Sequence, residues 1–309
     1  MGSDSLRSMS DQDDVDEYVD TAPIPPPKKS IKSGRGKGYV ADHKLGHDKS
    51  KDPSIRHLLG ASLGEPPEAS LEGYISEVWD QHETGSCTGH AFGRAAQLRL
   101  LAIASEAGIT LNVPKPSVTA IYQAGVAADR SSPNAPLQDD GAAPSQVVRG
   151  MATQGVPPDS AWPPGGFEAA YAADPVNHKF VTEEPDLFEL EKASTFVLQG
   201  FYRIEDGSDQ TTKDVVQALA SGYPVAVGVE VDQAFEDQNG TRVCPPCGPN
   251  PLGGHMLCVV GYRTNAQGGK EFRVCNSWGP NWADNGLFWA SAAWLKSATD
   301  VYAITVAPK

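Results

Sequence analysis

Residues 80–92, DQHETGSCTGHAF, decide the fold: a Gly-Ser turn leads directly into Cys87 and then into a run of apolar residues at helical spacing. This spacing predicts a helix over residues 87–107, which Gly108 would end. A Cys in the first helical turn lies among unpaired N–H groups at the positive end of the helix dipole, and both favour the thiolate. The Gln81 amide can direct a donor at an oxyanion that forms beside the thiolate. The alternative is a buried structural Cys, and the local pattern alone does not separate the two.

Two later segments carry the groups that a Cys nucleophile needs. In GGHMLCVVGY, residues 253–262, His255 begins a predicted strand. In FRVCNSWGPNW, residues 272–282, Asn276 ends the next predicted strand. If these strands are adjacent, Asn276 can orient the imidazole of His255 towards the Cys, and Trp278 can cover their hydrogen bond. A lone His at a strand start is usually structural, and only its combination with the Cys and Asn points to catalysis.

The rest of the chain reads as a helical half, residues 80–195, followed by a β-rich half, residues 196–309. This order predicts an α+β fold with two subdomains. Further helices are predicted at 116–128, 142–154, 184–193 and 214–221, and strands at 196–204, 225–231, 255–262, 271–277, 287–290 and 301–306.

Charge divides the chain into an N-terminal tail and an acidic body. The 309 residues carry a formal net charge of −14, which argues against a general nucleic-acid binder, and no apolar run is long enough to span a membrane. Residues 1–20 carry a net −6 and residues 28–56 a net +6, with few apolar side chains. Residues 1–37 are therefore predicted to be a disordered tail, of which 1–8 resemble an expression leader. No secretory signal precedes the body, so the cytoplasm is the default location, and a signal-independent export route stays open.

The remaining cysteines and one histidine could each have a structural role instead of a chemical one. Cys244 and Cys247 form a CxxC, which predicts free thiols in a reducing compartment, a short-loop disulfide in an oxidising one, and only weakly a zinc site. Cys258 and Cys275 lie within apolar strands and are predicted to be buried core. His90 follows Cys87 by one helical turn and is a rival general base, although a helix would place it away from the cleft.

The series DQ…GSC, GGH and NSWG resembles the papain-like cysteine peptidases, and Thr88 and the segment at residues 38–53 are similar to their prokaryotic branch. The resemblance covers residues 38–309 and implies a papain-like α+β fold with a helical N-terminal lobe, an antiparallel β-rich C-terminal lobe and a cleft between them. It makes Cys87 the nucleophile, His255 the general acid/base, Asn276 its orienting residue and Gln81 the oxyanion donor.

The resemblance also places Met256, Gly228 and Gly254 in the substrate pocket. It implies a peptide or protein substrate and neither a metal nor an organic cofactor. The sequence departs from the family at Thr84, where many members have a Cys, and the segment before Cys87 lacks the signals of a long helical propeptide.

Two rival functions stay open. A transpeptidase or other amide acyl-transferase would use the same dyad and pass the thioester to an amine, and a binding module could keep the fold without turnover. The basic segment before residue 57 is also expected to contact the acidic body and, as a separate hypothesis, to cover the cleft in a salt-sensitive way.

Overall fold

The computed structural model describes residues 36–59 and 65–309. The predicted disorder of residues 1–35 lies outside the described residues. Gly36 and Lys37, which the sequence analysis assigned to the tail, are both buried in the structure. Within the described residues, no helix is both long and apolar enough to cross a membrane.

Most of the helices in the described residues lie before residue 195. Those in the described residues are α1 (Arg56–Leu59), α2 (Cys87–Glu106), α3 (Val118–Ala128), α4 (Pro144–Gln154), α5 (Phe167–Ala173), α6 (Leu187–Ala193), α7 (Asp209–Ala220), α8 (Gln233–Glu236) and α9 (Ala292–Lys296). Short 3-10 helices lie at Asp42–Leu45, Lys49–Lys51, Glu72–Tyr74, Asp159–Ala161 and Lys179–Val181.

One antiparallel sheet forms the second layer, which confirms the predicted α+β class. The strands of the described residues are β1 (Glu68–Ser70), β2 (Phe196–Arg203), β3 (Val225–Val231), β4 (Gly253–Thr264), β5 (Lys270–Cys275), β6 (Leu287–Ser291) and β7 (Asp300–Pro308). They run in the order β2-β7-β3-β4-β5-β6, and β1 pairs with β4. One face of the sheet packs on α2 and the other on α7 and α9.

Helix α2 lies between the sheet and α3 and is buried on nearly all sides. The spacing of its apolar residues indicated burial of one face only, so the buried surface is larger than the sequence suggested. Close approach to α3 needs a glycine, because a Cβ at Gly89 would lie 2.1 Å from the Val118 carbonyl oxygen. The first turn of α2, which carries Cys87, thereby points at β3 and β4.

The sequence patterns missed several features of the elements, among them the short helices α1, α8 and α9 and strand β1. Helix α7 begins five residues before the predicted residue 214, where Ser208 caps it and Thr211 completes a capping box. Strand β5 ends at Cys275, two residues before the predicted end, because Asn276 leaves the ladder. Helix α5 was not predicted.

The segment after residue 38 is anchored by a buried carboxylate at the start of β7. Asp300 Oδ2 accepts hydrogen bonds from the Tyr39 hydroxyl at 2.5 Å and the Asp42 amide at 3.1 Å, and Oδ1 pairs with Lys49 Nζ at 2.9 Å. Burial, with the neighbouring charge of Asp300, raises the pKa of Asp42. The N-terminal segment is therefore part of the folded unit.

Asp300→Ala should lower the free energy of unfolding by about 3 kcal/mol, because the buried ends of Lys49, Tyr39 and Asp42 lose their shared acceptor. Relief of the repulsion with Asp42 offsets part of this loss. Urea denaturation would measure it, with the exposed Asp140→Ala expected to stay within about 0.5 kcal/mol. Equal stability of the two variants would contradict the anchoring role.

Candidate active site

Cys87 begins α2 and follows a loop that is held in place by the half-buried Asp139. Asp139 Oδ1 accepts hydrogen bonds from the Gly85 amide at 2.9 Å and the Tyr122 hydroxyl at 2.8 Å. The backbone N–H groups of Met256, Gly38 and Thr88 hydrogen-bond to the Cys87 thiol. The thiol therefore lies against β4, beside the residue that follows His255.

The His255 imidazole is held between an amide and an indole. His255 Nε2 lies 2.7 Å from Asn276 Oδ1, and the Trp278 ring stacks on the imidazole with the centroids 4.8 Å apart. His255 Nδ1 is buried and has no hydrogen-bond partner among the described residues. The imidazole is thus oriented through Nε2, while Nδ1 is left without a hydrogen-bond partner among the described residues.

Ser277 links the amide of Gln81 to Asn276, and the sequence analysis did not single it out. Its hydroxyl donates to Gln81 Oε1 at 2.6 Å, and its amide donates to Asn276 Oδ1 at 2.8 Å. Gln81 Nε2 donates to the carbonyl oxygens of Thr84 at 2.9 Å and Gly36 at 3.0 Å. The position of Ser277 directly after Asn276 is the signal that could have identified it.

Residues 36–41, the cleft segment, lie across these groups. Gly38 O accepts from the Ala142 amide at 2.9 Å, and the Val40 amide donates to Ala142 O at 3.3 Å. On the opposite wall, the Tyr39 amide donates to Gly254 O at 3.4 Å. The group of this segment that faces the thiol is the Gly38 N–H.

The predicted pocket residues divide between two places. A Cβ at Gly228 would lie 2.4 Å from the Tyr39 ring, and one at Gly254 would lie 2.5 Å from Tyr39 O. These two glycines line the space that Tyr39 fills. Met256 is fully buried, and its amide contacts the thiol.

Burial opposes charge on both members of the dyad. It raises the pKa of Cys87 to about 11, although the three backbone N–H groups counter the rise. Burial lowers the pKa of His255 to about 4, although the hydrogen bond that Nε2 donates to Asn276 Oδ1 acts in the opposite direction. The expected thiolate is therefore absent while the cleft segment is in place, because desolvation outweighs the helix terminus.

At pH 7, iodoacetamide should label the half-buried Cys247 before Cys87, whereas the sequence favoured Cys87. A raised thiol pKa leaves little thiolate at neutral pH, so the rate at Cys87 should rise about tenfold per pH unit below that pKa. Peptide mapping across a pH series measures both rates. Labelling of Cys87 first at pH 7 would contradict the closed cleft.

His90 does not face the thiol from the cleft. Its Nδ1 lies 3.0 Å from Ser86 O on its own helix, and burial lowers its pKa to about 3. The ring packs edge-on against Phe167, with the centroids 5.1 Å apart. The structure therefore gives it a packing role.

The four other cysteines lie away from the cleft segment. Cys258 and Cys275 are buried opposite one another on β4 and β5, which confirms their place in the core. Cys244 and Cys247 are free thiols. In the part of the chain that the structure describes, no group of three or more His, Cys, Asp or Glu could hold a metal.

Comparisons with known proteins show similarity to cysteine proteases in sequence and in fold. The model of the papain family cysteine proteases matches residues 171–302, which include His255 and Asn276. Fruit bromelain of Ananas comosus is 31% identical over 88 residues, 28% of this chain and 24% of bromelain. A cathepsin B-like protein of Giardia intestinalis is 27% identical over 215 residues, 69% of this chain and 64% of that protein.

Among solved structures, xylellain, a cysteine protease from Xylella fastidiosa, superposes with a TM-score of 0.64 at 21% identity. The match covers 89% of this chain and 98% of xylellain. At this identity the likeness shows the papain-like fold alone. The matched stretches span less than two thirds of the bromelain and Giardia proteins.

Proposed function

We propose that the chain is a papain-like cysteine peptidase that hydrolyses peptide bonds through Cys87, His255 and Asn276, which the family match over residues 171–302 and the papain-like fold support. The observation that carries the proposal is the oriented imidazole. His255 is fixed through Nε2 by Asn276, keeps Nδ1 available, and directly precedes the residue whose amide contacts the Cys87 thiol.

In the proposed reaction, Nδ1 of His255 takes the thiol proton and Cys87 Sγ bonds to the carbonyl carbon of the peptide. The carbonyl oxygen becomes an oxyanion that accepts from Gln81 Nε2 and the Cys87 amide. His255 returns the proton to the nitrogen as the C–N bond breaks, which releases the amine. Water then adds to the thioester, assisted by His255, and the acid leaves as the thiol re-forms.

This reaction requires the cleft segment to move. In the closed structure, Gly36 O accepts the hydrogen bond of Gln81 Nε2, and the Gly38 N–H faces the Cys87 thiol. A substrate carbonyl needs both positions, so we propose that the closed form is latent and that the unaltered chain turns over slowly, only while the cleft segment is open. Hydration of the opened cleft would also bring the two pKa values towards one another, because desolvation is their main cause.

A fluorogenic peptide pool tests the proposal, with amine release measured for the unaltered chain, Cys87→Ala and Cys247→Ala. Activity should vanish only in Cys87→Ala, because Cys247 lies on the loop before β4. Activity that survives in Cys87→Ala would exclude the thiol mechanism. Product masses with and without an added amine separate hydrolysis from transpeptidation, and a binding module would bind peptides without any turnover.

A further inference from the structure

A lysine ammonium is buried inside the candidate cleft. The side chain of Lys37 is only 2% exposed, and its Nζ lies 2.5 Å from Glu236 Oε1. The same Nζ lies 5.9 Å from the centroid of the Trp278 ring, which stacks on His255. A buried cation is tolerated where a counter-charge and an aromatic face replace its water.

The pocket around this ammonium is fixed by contacts that do not involve Lys37. Trp282 Nε1 donates to the Glu236 carbonyl oxygen at 3.0 Å, and Asp232 Oδ1 caps α8 through the Phe235 amide at 2.9 Å. The backbone of Gly253 forms one wall of this pocket, since a Cβ added there would lie only 3.3 Å from Lys37 Cδ. The backbone that carries Glu236 is therefore held in place independently of the lysine.

The pocket adjoins the reacting atoms. Lys37 lies between Gly36, whose carbonyl oxygen is bound by Gln81 Nε2, and Gly38, whose amide faces the Cys87 thiol. A peptide that takes the same track would place one side chain in this pocket, next to the bond to be cleaved.

We propose that Glu236 forms an acidic subsite that selects substrates with a lysine or arginine adjacent to the cleaved bond, an inference that rests on the proposed peptidase function. With Lys37 in place the Glu236 side chain is only 24% exposed. A neutral substrate side chain would cover this carboxylate without a partner, whereas a basic one replaces the lost ion pair.

The experiment uses the full chain with Lys37→Ala, which empties the pocket, and a peptide library whose cleavage sites are read by mass spectrometry. Lys and Arg should be enriched at one position beside the cleaved bond. There, kcat/KM should exceed that of a norleucine peptide by about tenfold or more. Adding Glu236→Gln should remove the preference, and adding Glu236→Lys should shift it to acidic residues.

Glu230→Gln is the matched control, because Glu230 pairs with Lys44 at 2.7 Å and does not contact Lys37. It should leave the preference unchanged. A preference that is absent, or that persists in Glu236→Lys, would overturn the inference. If Lys37→Ala proves unstable on heating, Lys37→Gln replaces it, since it removes the charge and keeps most of the methylenes.

A binding measurement keeps the inference separate from the peptidase proposal. In Cys87→Ala with Lys37→Ala, a lysine peptide should bind about tenfold more tightly than its norleucine analogue, and Glu236→Gln should abolish the difference. Equal binding would overturn the subsite even if peptides are cleaved. Unequal binding without Cys87-dependent cleavage would support the subsite and contradict the peptidase proposal.

Discussion

Replacing His255 with alanine should lower kcat/KM for peptide hydrolysis by about three orders of magnitude or more, because the only proposed carrier of the thiol proton is removed. Asn276→Ala should retain partial activity, since the base stays while its ring loses the 2.7 Å hydrogen bond that orients it. The Trp278 ring still stacks on the imidazole in that variant and limits its rotation.

Steady-state kinetics on the same fluorogenic peptides measure both effects, with circular dichroism as the check on folding. His57→Ala is the matched control, because His57 lies on the exposed face of α1, and its activity should equal that of the unaltered chain. A folded His255→Ala variant with substantial turnover would remove the general base from the mechanism, and a silent Asn276→Ala would remove the orienting role.

Reversing the charge of Lys37 should activate the chain. In Lys37→Glu two carboxylates meet in a nearly dry pocket, so the cleft segment is driven out and peptide hydrolysis should rise about tenfold or more. The double variant Lys37→Glu with Glu236→Lys restores the opposite charges and should return the activity towards that of the unaltered chain. Initial rates on a peptide without charged side chains measure the change without interference from the altered subsite.

Salt should have little effect on this latency, which departs from the expectation drawn from the charge of the tail. An exposed basic tail would be screened at physiological ionic strength. The structure instead holds the cleft segment by backbone hydrogen bonds to Ala142 and Gly254 and by a buried ion pair, and buried pairs are screened much less. Equal activity of Lys37→Glu and the unaltered chain, or activation by salt alone, would contradict this account.

The sequence predicted the elements that carry the dyad because their signals are local. The Gly-Ser turn before Cys87 and the apolar run that follows His255 in β4 specify a helix start and a strand without tertiary context. The antiparallel pairing of β4 with β5 then brings Asn276 next to His255, as their positions at the strand ends suggested.

The state of the site could not be predicted, because it depends on contacts between residues that are far apart in the chain. In the sequence, Lys37 cannot be distinguished from the other charged residues of a polar tail. Its ion pair with Glu236 joins residues that are 199 positions apart. The direction of the Cys87 pKa shift was wrong for the same reason. The helix terminus is visible in the sequence, whereas the covering of the thiol by Gly38 is not.

The most direct test of the central claim is an acid quench of the Lys37→Glu variant during turnover, followed by mass spectrometry of its Cys87 peptide. The mechanism predicts that this peptide carries the acyl half of the substrate as a thioester, that hydroxylamine removes it, and that it is absent when His255 is also replaced by alanine. Turnover that proceeds with no acyl group on Cys87, and that continues in Cys87→Ala, would contradict the account.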